Sequence, residues 1–221
     1  MKYVSFCFVL VYCLLICPAK MAACDTTSLR ELVVPVSPDK WKRQAPKGTF
    51  SDEMRYMLRL NNRYTLNKWY KEVKRFQDQV GEYFDFGGKT EHFIRPAAHH
   101  ALTLGVCLKT NVYDSSVSYA SKREATKTTV QLIRSLAYRH KANIGKEGWG
   151  DQWQSALWAS RAAHAAWIMW DELSASDQEQ VCRMIVHEAD RFLDYKVPYY
   201  RDLAGNILSE GDTKAEENGW N

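Results

Sequence analysis

Cysteine is scarce where it would be informative. Four of the six cysteines lie before residue 25, so the body keeps only Cys107 and Cys182. There is no CxxC and no ladder of pairs, which excludes a zinc ribbon and a disulfide scaffold. The two read either as small buried hydrophobes or as a single bridge in an exported protein. Charge of one sign is missing too: 30 Lys and Arg face 26 Asp and Glu, for a net +4. That excludes nucleic acid as the expected partner, while mild basicity suits an acidic polysaccharide. No segment alternates polar and apolar residues, so no sheet is expected. No fixed-period repeat marks a solenoid. No apolar run reaches the ~20 residues of a spanning helix. An apolar fraction of 46% with 25% charge excludes global disorder.

The longest apolar run, residues 3–17, follows Lys2 and precedes small residues. Residues 1–23 therefore read as a secretory signal. Met21-Ala22-Ala23-Cys24 resembles a bacterial lipobox, with Cys24 as the lipidated first mature residue, although Lys20 and Met21 depart from the pattern. Plain cleavage after Ala19 or Ala23 is the competing reading. Export to the periplasm or cell surface is the expected localisation, with a lipid anchor if Cys24 is modified. Residues 24–50, with Pro35, Pro38 and Pro46, form a tether or irregular arm.

From residue 51 to 221 nearly everything reads as helix. Ser51 is a good N-cap, and Met54, Met57, Leu58, Leu66, Trp69, Tyr70, Val73 and Phe76 follow at helical spacing as far as Gly81. Gly87-Gly88 breaks the chain. Pro96 fits the first turn of the next helix, a turn spans 111–116, and a long helix carries Val117 to Ala137. Residues 140–150 form a loop with three glycines. A helix over 153–170 is apolar on most sides and so buried on most sides. Ser176 and Glu179 match a capping box, as do Thr213 and Glu216. Residues 198–211 form a loop turning at Ala204-Gly205-Asn206. Short connections and alanine-rich helices suit an all-α fold of antiparallel helical hairpins, part of an α/α-toroid, better than a four-helix bundle.

Three stretches carry a family resemblance: WGDQWQSALWASRAAHAAWIMWDELS from Trp149, VCRMIVHEADRFLDYKVPYYRD from Val181, and the closing GDTKAEENGWN. They resemble exported bacterial α/α-toroid proteins, similar to the helical domains of heparinase-like and alginate-lyase-like polysaccharide lyases. The likeness spans Ile94 to the end. It implies a carbohydrate-active protein, most readily a β-eliminating lyase on a uronic-acid glycan. It also implies further helices and a β-sandwich domain, so the chain is expected to be truncated at its C-terminus.

Such a lyase must neutralise a carboxylate, remove the C5 proton and protonate the departing O4. Asn218, Tyr200 and His164 are the candidate catalytic residues, and Trp149, Gln152, Trp153 and Arg161 the candidate substrate wall. Plainer roles compete: His164 as a satisfied core histidine, Tyr199 and Tyr200 as loop closure, Asn218 bonded to backbone, and Arg161 paired with Glu147 or Asp151. A non-catalytic glycan-binding scaffold is the alternative from another class. An α/α-barrel glycoside hydrolase would need two carboxylates across a sugar. Asp151, Glu188, Asp212, Glu216 and Glu217 are available, but Glu216 and Glu217 point about 100° apart on a helix.

No cofactor or metal is expected. His187-Glu188 opens like HExxH, but Arg191 stands where the second His should be, so an ion pair of His187 with nearby acids is the better reading. His99 and His100 face different directions on a helix and do not chelate one ion, which leaves a single histidine lining a cleft as an option. Lys68, Lys71, Lys74 and Arg75 read as a solvated face that could also attract an anionic glycan.

Overall fold

The computed structural model describes residues 28–36, 48–76, 82–152, 154–190, 200–201 and 206–209. The expected signal, Cys24, Trp153, Asn218 and the Thr213–Glu216 capping box lie outside the described residues. The fold is all-α, with a minimal two-stranded ribbon. Among the described residues no helix is long and apolar enough to cross a membrane.

The first helix, α1 (Thr49–Tyr64), starts behind Gly48, so Ser51 lies inside its first turn and is not the N-cap. It runs on through a π turn (Thr65–Trp69), α2 (Tyr70–Val73) and a 3-10 turn (Lys74–Phe76). Next comes α3 (Glu91–Lys109), with Thr90 as N-cap. Pro96 stands five residues beyond its first residue, deeper than the first turn where proline is tolerated best. The expected long helix after residue 116 is split. A one-turn α4 (Ser115–Ser118), capped by Asp114, stops where Tyr119 adopts φ 52. The chain restarts at α5 (Lys122–Tyr138) under a Ser121–Glu124 capping box.

The 140–150 loop contains α6 (Lys141–Ile144) and a 3-10 turn (Gly145–Glu147). Then follow α7 (Ser155–Ile168), a 3-10 turn (Trp170–Glu172) and α8 (Ala175–Asp190). The capping box of α8 is Ser174 with Asp177, two residues before the expected one: Ser174 Oγ accepts from the Asp177 N–H at 3.2 Å and donates to its carboxylate at 2.6 Å. Glu179 is thereby free for another task. It accepts from Ser28 Oγ at 2.6 Å and from the Arg30 N–H at 3.2 Å, which anchors a 3-10 turn (Leu29–Leu32) of the arm against α8. The 198–211 loop contains a hairpin, β1 (Tyr200–Arg201) paired antiparallel with β2 (Ile207–Ser209).

Among the described residues, α3, α5, α7 and α8 make most of the core. α3 packs on α7 and α5, α8 packs on α7 and α5, and α1 lies against α3. Contacts climb together along α3 and α7. Arg95 and His99 meet Trp158, and Gly105 lies beside Ala165 and Met169, so these helices run the same way. They also climb together along α5 and α8, from Arg134–Asp177 to His140–Glu188 just past the end of α5. Small residues permit the close approach: Ala97, Ala98 and Ala101 on one side, Ala162, Ala165 and Ala166 on the other, all buried. Leu104, Leu132, Ile133, Leu136, Met169 and Met184 fill the space between. Residues 82–90 also contribute, since Phe84 and Phe86 are buried and the Phe84 N–H is held by Ser135 Oγ at 3.0 Å.

Candidate functional site

The π turn builds the site. One wider turn at Thr65–Trp69 shifts the register of the first helix, a distortion frequent at functional positions. It presents Thr65 and Trp69 together to α3. Thr65 Oγ1 lies 2.7 Å from His100 Nδ1, and the Trp69 ring sits 4.4 Å from the imidazole, tilted by 41°. His99 is one step further round the helix and points toward α7, edge-on to Trp158 at 5.5 Å.

A groove of about 520 Å³ opens between the first helix, α3 and α7. Asn61, Arg95, His99, His100, Thr103 and Arg161 line it, with Pro96 and Leu102. The Arg95 guanidinium also lies 5.7 Å from the Trp158 ring. Burial lowers the His99 pKa, and the positive charges of Arg161 and Arg95 lower it further. Burial, then the neighbouring His99, lowers His100 to about 4. Both imidazoles are therefore neutral at pH 7. The groove joins two guanidinium groups to two free-base imidazoles, a set that can bind a carboxylate and accept a proton beside it.

His100 also makes stability depend on pH. Unfolded, it binds a proton below about 6.5; folded, not until about 4. Between those values the unfolded chain holds more protons, so stability falls as pH falls through that window. The loss on acidification is expected to be roughly 3 kcal/mol. Urea midpoints of the wild type and His100→Gln at pH 7 and pH 4.5 check this. The variant should lose much of the acid sensitivity, and an unchanged difference would rule out His100 as its source.

The expected site residues are dispersed. Arg161 lines the groove. It does not pair with Glu147 or Asp151, whose partners are Lys89 at 2.9 Å for the first and Lys141 and His187 for the second, each at 2.7 Å. His164 is exposed on α7, neither in the core nor among the groove-lining residues, with Ser160 Oγ 3.5 Å away. Trp167, on the same helix, donates from Nε1 to the Val34 carbonyl at 2.8 Å and so holds the arm. Trp149 is 2% exposed; its Nε1–H donates to the Leu136 carbonyl at 2.9 Å. Gln152 helps close the turn before α7, its N–H donating to Ser155 Oγ at 2.7 Å. Tyr200 lies in β1, whose backbone alone is described.

Sequence reading missed Arg95 altogether and left His99 and His100 as one undecided option. Arg95 and His99 are four apart and so share a helix face, but only the tertiary packing shows that Arg161 meets that face. The Lys71–Lys74 face borders a second, larger groove of about 670 Å³ against α5, where Lys127 and Arg134 mix with Glu82 and Glu124. That mixture is less selective for an anion than the histidine groove. Comparison with known proteins gives no match, whether to a family model, a curated protein or a solved structure.

Proposed function

We propose that this chain is a carbohydrate-active protein that acts on a uronic-acid polysaccharide, with the groove at His99 and Arg161 as the binding site and β-elimination as the reaction. The observation that carries this reading is the placement of neutral His99 beside both Arg95 and Arg161 in one open groove. A uronate carboxylate set against the guanidinium groups has its charge offset, which acidifies the adjacent C5 hydrogen. The lone pair of a neutral imidazole takes that proton, the C–H electrons form the C4–C5 double bond, and O4 departs with a proton from a second group. His100, neutral and held at one nitrogen by Thr65, serves in this reading to orient the sugar by hydrogen bonding and not as the acid. Tyr200 and Asn218 remain candidate catalytic residues in this reading, the phenol for proton transfer and the amide for the carboxylate. The same-direction packing of α3 with α7 and of α5 with α8 supports alternating layers, as in part of an α/α-toroid, because up-and-down bundles place antiparallel helices side by side. Export and a lipid anchor at Cys24 complete the reading.

Incubating the full chain with a panel of uronate polysaccharides tests it by the rise of the ultraviolet band of a conjugated uronate. His99→Ala is expected to lower turnover about 100-fold or more. Arg161→Ala should weaken substrate affinity about tenfold or more. Retention on a glycan gel without any rise in absorbance would replace the lyase reading with a non-catalytic binder. Neither retention nor a rise would end the saccharide proposal.

A further inference from the structure

We propose that Asp151, His187 and Glu188 form a binding site for one first-row divalent metal ion of the zinc class. Each supplies one donor atom, and the three atoms lie within 4.8 Å of one another. Tetrahedral ligands around zinc stand about 3.3 Å apart, so small side-chain adjustments close the set. His187 Nε2 and Asp151 Oδ1 already face each other at 2.7 Å. The donors, one imidazole nitrogen and two carboxylates, match zinc or cobalt better than calcium or magnesium, which prefer oxygen alone.

The surroundings orient these donors as the outer partners of metal ligands do. His140 is fully buried and its tautomer is set. Its Nδ1 accepts the Ala142 N–H at 3.2 Å, so Nε2 carries the proton and donates to Glu188 Oε1 at 3.0 Å. Trp149 meets the His140 ring edge-on at 4.6 Å and His187 does so at 5.2 Å, which fixes its plane. At Gly150 an added Cβ would stand 2.8 Å from His140 Nε2, so a side chain there would crowd the same atom. Lys141 Nζ holds the second oxygen of Asp151 at 2.7 Å. Burial pushes the Asp151 carboxyl up, but the His187 and Lys141 hydrogen bonds outweigh it and hold it well below the usual range. Access is open: the His187 and Asp151 side chains are 32% and 21% exposed, against 4% for Glu188.

The site does not depend on the groove reading. The test uses the full chain stripped with a chelator, then dialysed against Zn²⁺ for metal analysis and against Co²⁺ for visible absorption. One Zn²⁺ per chain is expected, with ligand-field bands for Co²⁺. His187→Gln and Asp151→Asn should each weaken binding about 100-fold, with folding checked by circular dichroism. Lys141→Gln should strengthen it, because the competing ammonium is gone, and mere damage to the fold would not. His164→Ala should change nothing. No stoichiometric uptake by the wild type, or equal affinity in His187→Gln, overturns the proposal. Weaker binding in a folded Lys141→Gln would also count against it.

Discussion

Trp149→Ala is expected to destabilise the protein by about 3–5 kcal/mol, with the urea midpoint as the measurement. The indole is buried in the core and also finishes α5. The last carbonyls of a helix have no donor within it. In α5, Ser135 O receives the Arg139 N–H at 3.0 Å, and Ala137 O receives the His140 N–H at 3.1 Å and Asn143 Nδ2 at 2.7 Å. Leu136 O receives Trp149 Nε1 at 2.9 Å. Removing the indole therefore leaves a void and a carbonyl without this donor. Trp149→Phe separates the two, since it keeps most of the volume and loses the donor, for about 1–3 kcal/mol. Neither variant should alter affinity at the His99 groove while it stays folded. A folded Trp149→Phe that lost glycan retention would return this residue to the ligand wall.

This inversion, from expected sugar platform to helix cap, shows what was legible. Helical spacing alone marks α3, α5, α7 and α8, because each buries a wide apolar stripe. The breaks within them are less visible. The end of α4 rests on a non-glycine left-handed residue, Tyr119, to which apolar spacing is blind. The Ser121–Glu124 box is local and readable, yet the apolar period running from Val117 to Ala137 hides it. At α8 two capping boxes compete. Ser174–Asp177 prevails while Glu179 is held by Ser28 and Arg30, over a sequence distance no window spans. Phe84 and Phe86 lie in a segment without regular period, so nothing in their spacing marks them as core.

The site was legible only as single residues. Arg161 could be singled out on α7, and His99 with His100 could be seen to diverge, but their meeting depends on α3 lying beside α7 and on a π turn that moves Thr65 and Trp69 by one position. The metal cluster fails a motif search for a similar reason. Its helix supplies His187 and Glu188, and Arg191 breaks the expected HExxH. The third donor arrives from Asp151, beyond a strap that returns to run parallel beside His140.

That strap gives the second large effect. Gly148→Ala is expected to cost about 3 kcal/mol or more. Conformation is not the reason, because Gly148 has an ordinary φ of −85°. Space is the reason. The Trp149 N–H donates to the Arg139 carbonyl at 3.0 Å, and the Trp149 carbonyl accepts the Lys141 N–H at 2.9 Å, which lays the strap against the chain leaving α5. A Cβ on Gly148 would overlap Lys141 N and come within 2.6 Å of the His140 carbonyl carbon. Both are backbone atoms, so relief requires the bridge to part. Gly145→Ala is the opposite case. Its Cβ would meet nothing within 4 Å, but its φ of 70° and ψ of −145° put it in a backbone region essentially reserved for glycine, so only a conformational penalty of about 1–3 kcal/mol applies. Urea unfolding of the pair separates crowding from conformation. A loss below about 1 kcal/mol in Gly148→Ala would mean that the strap lifts off α5 without penalty, and the orientation of His140 toward Glu188 would then need a support other than Trp149.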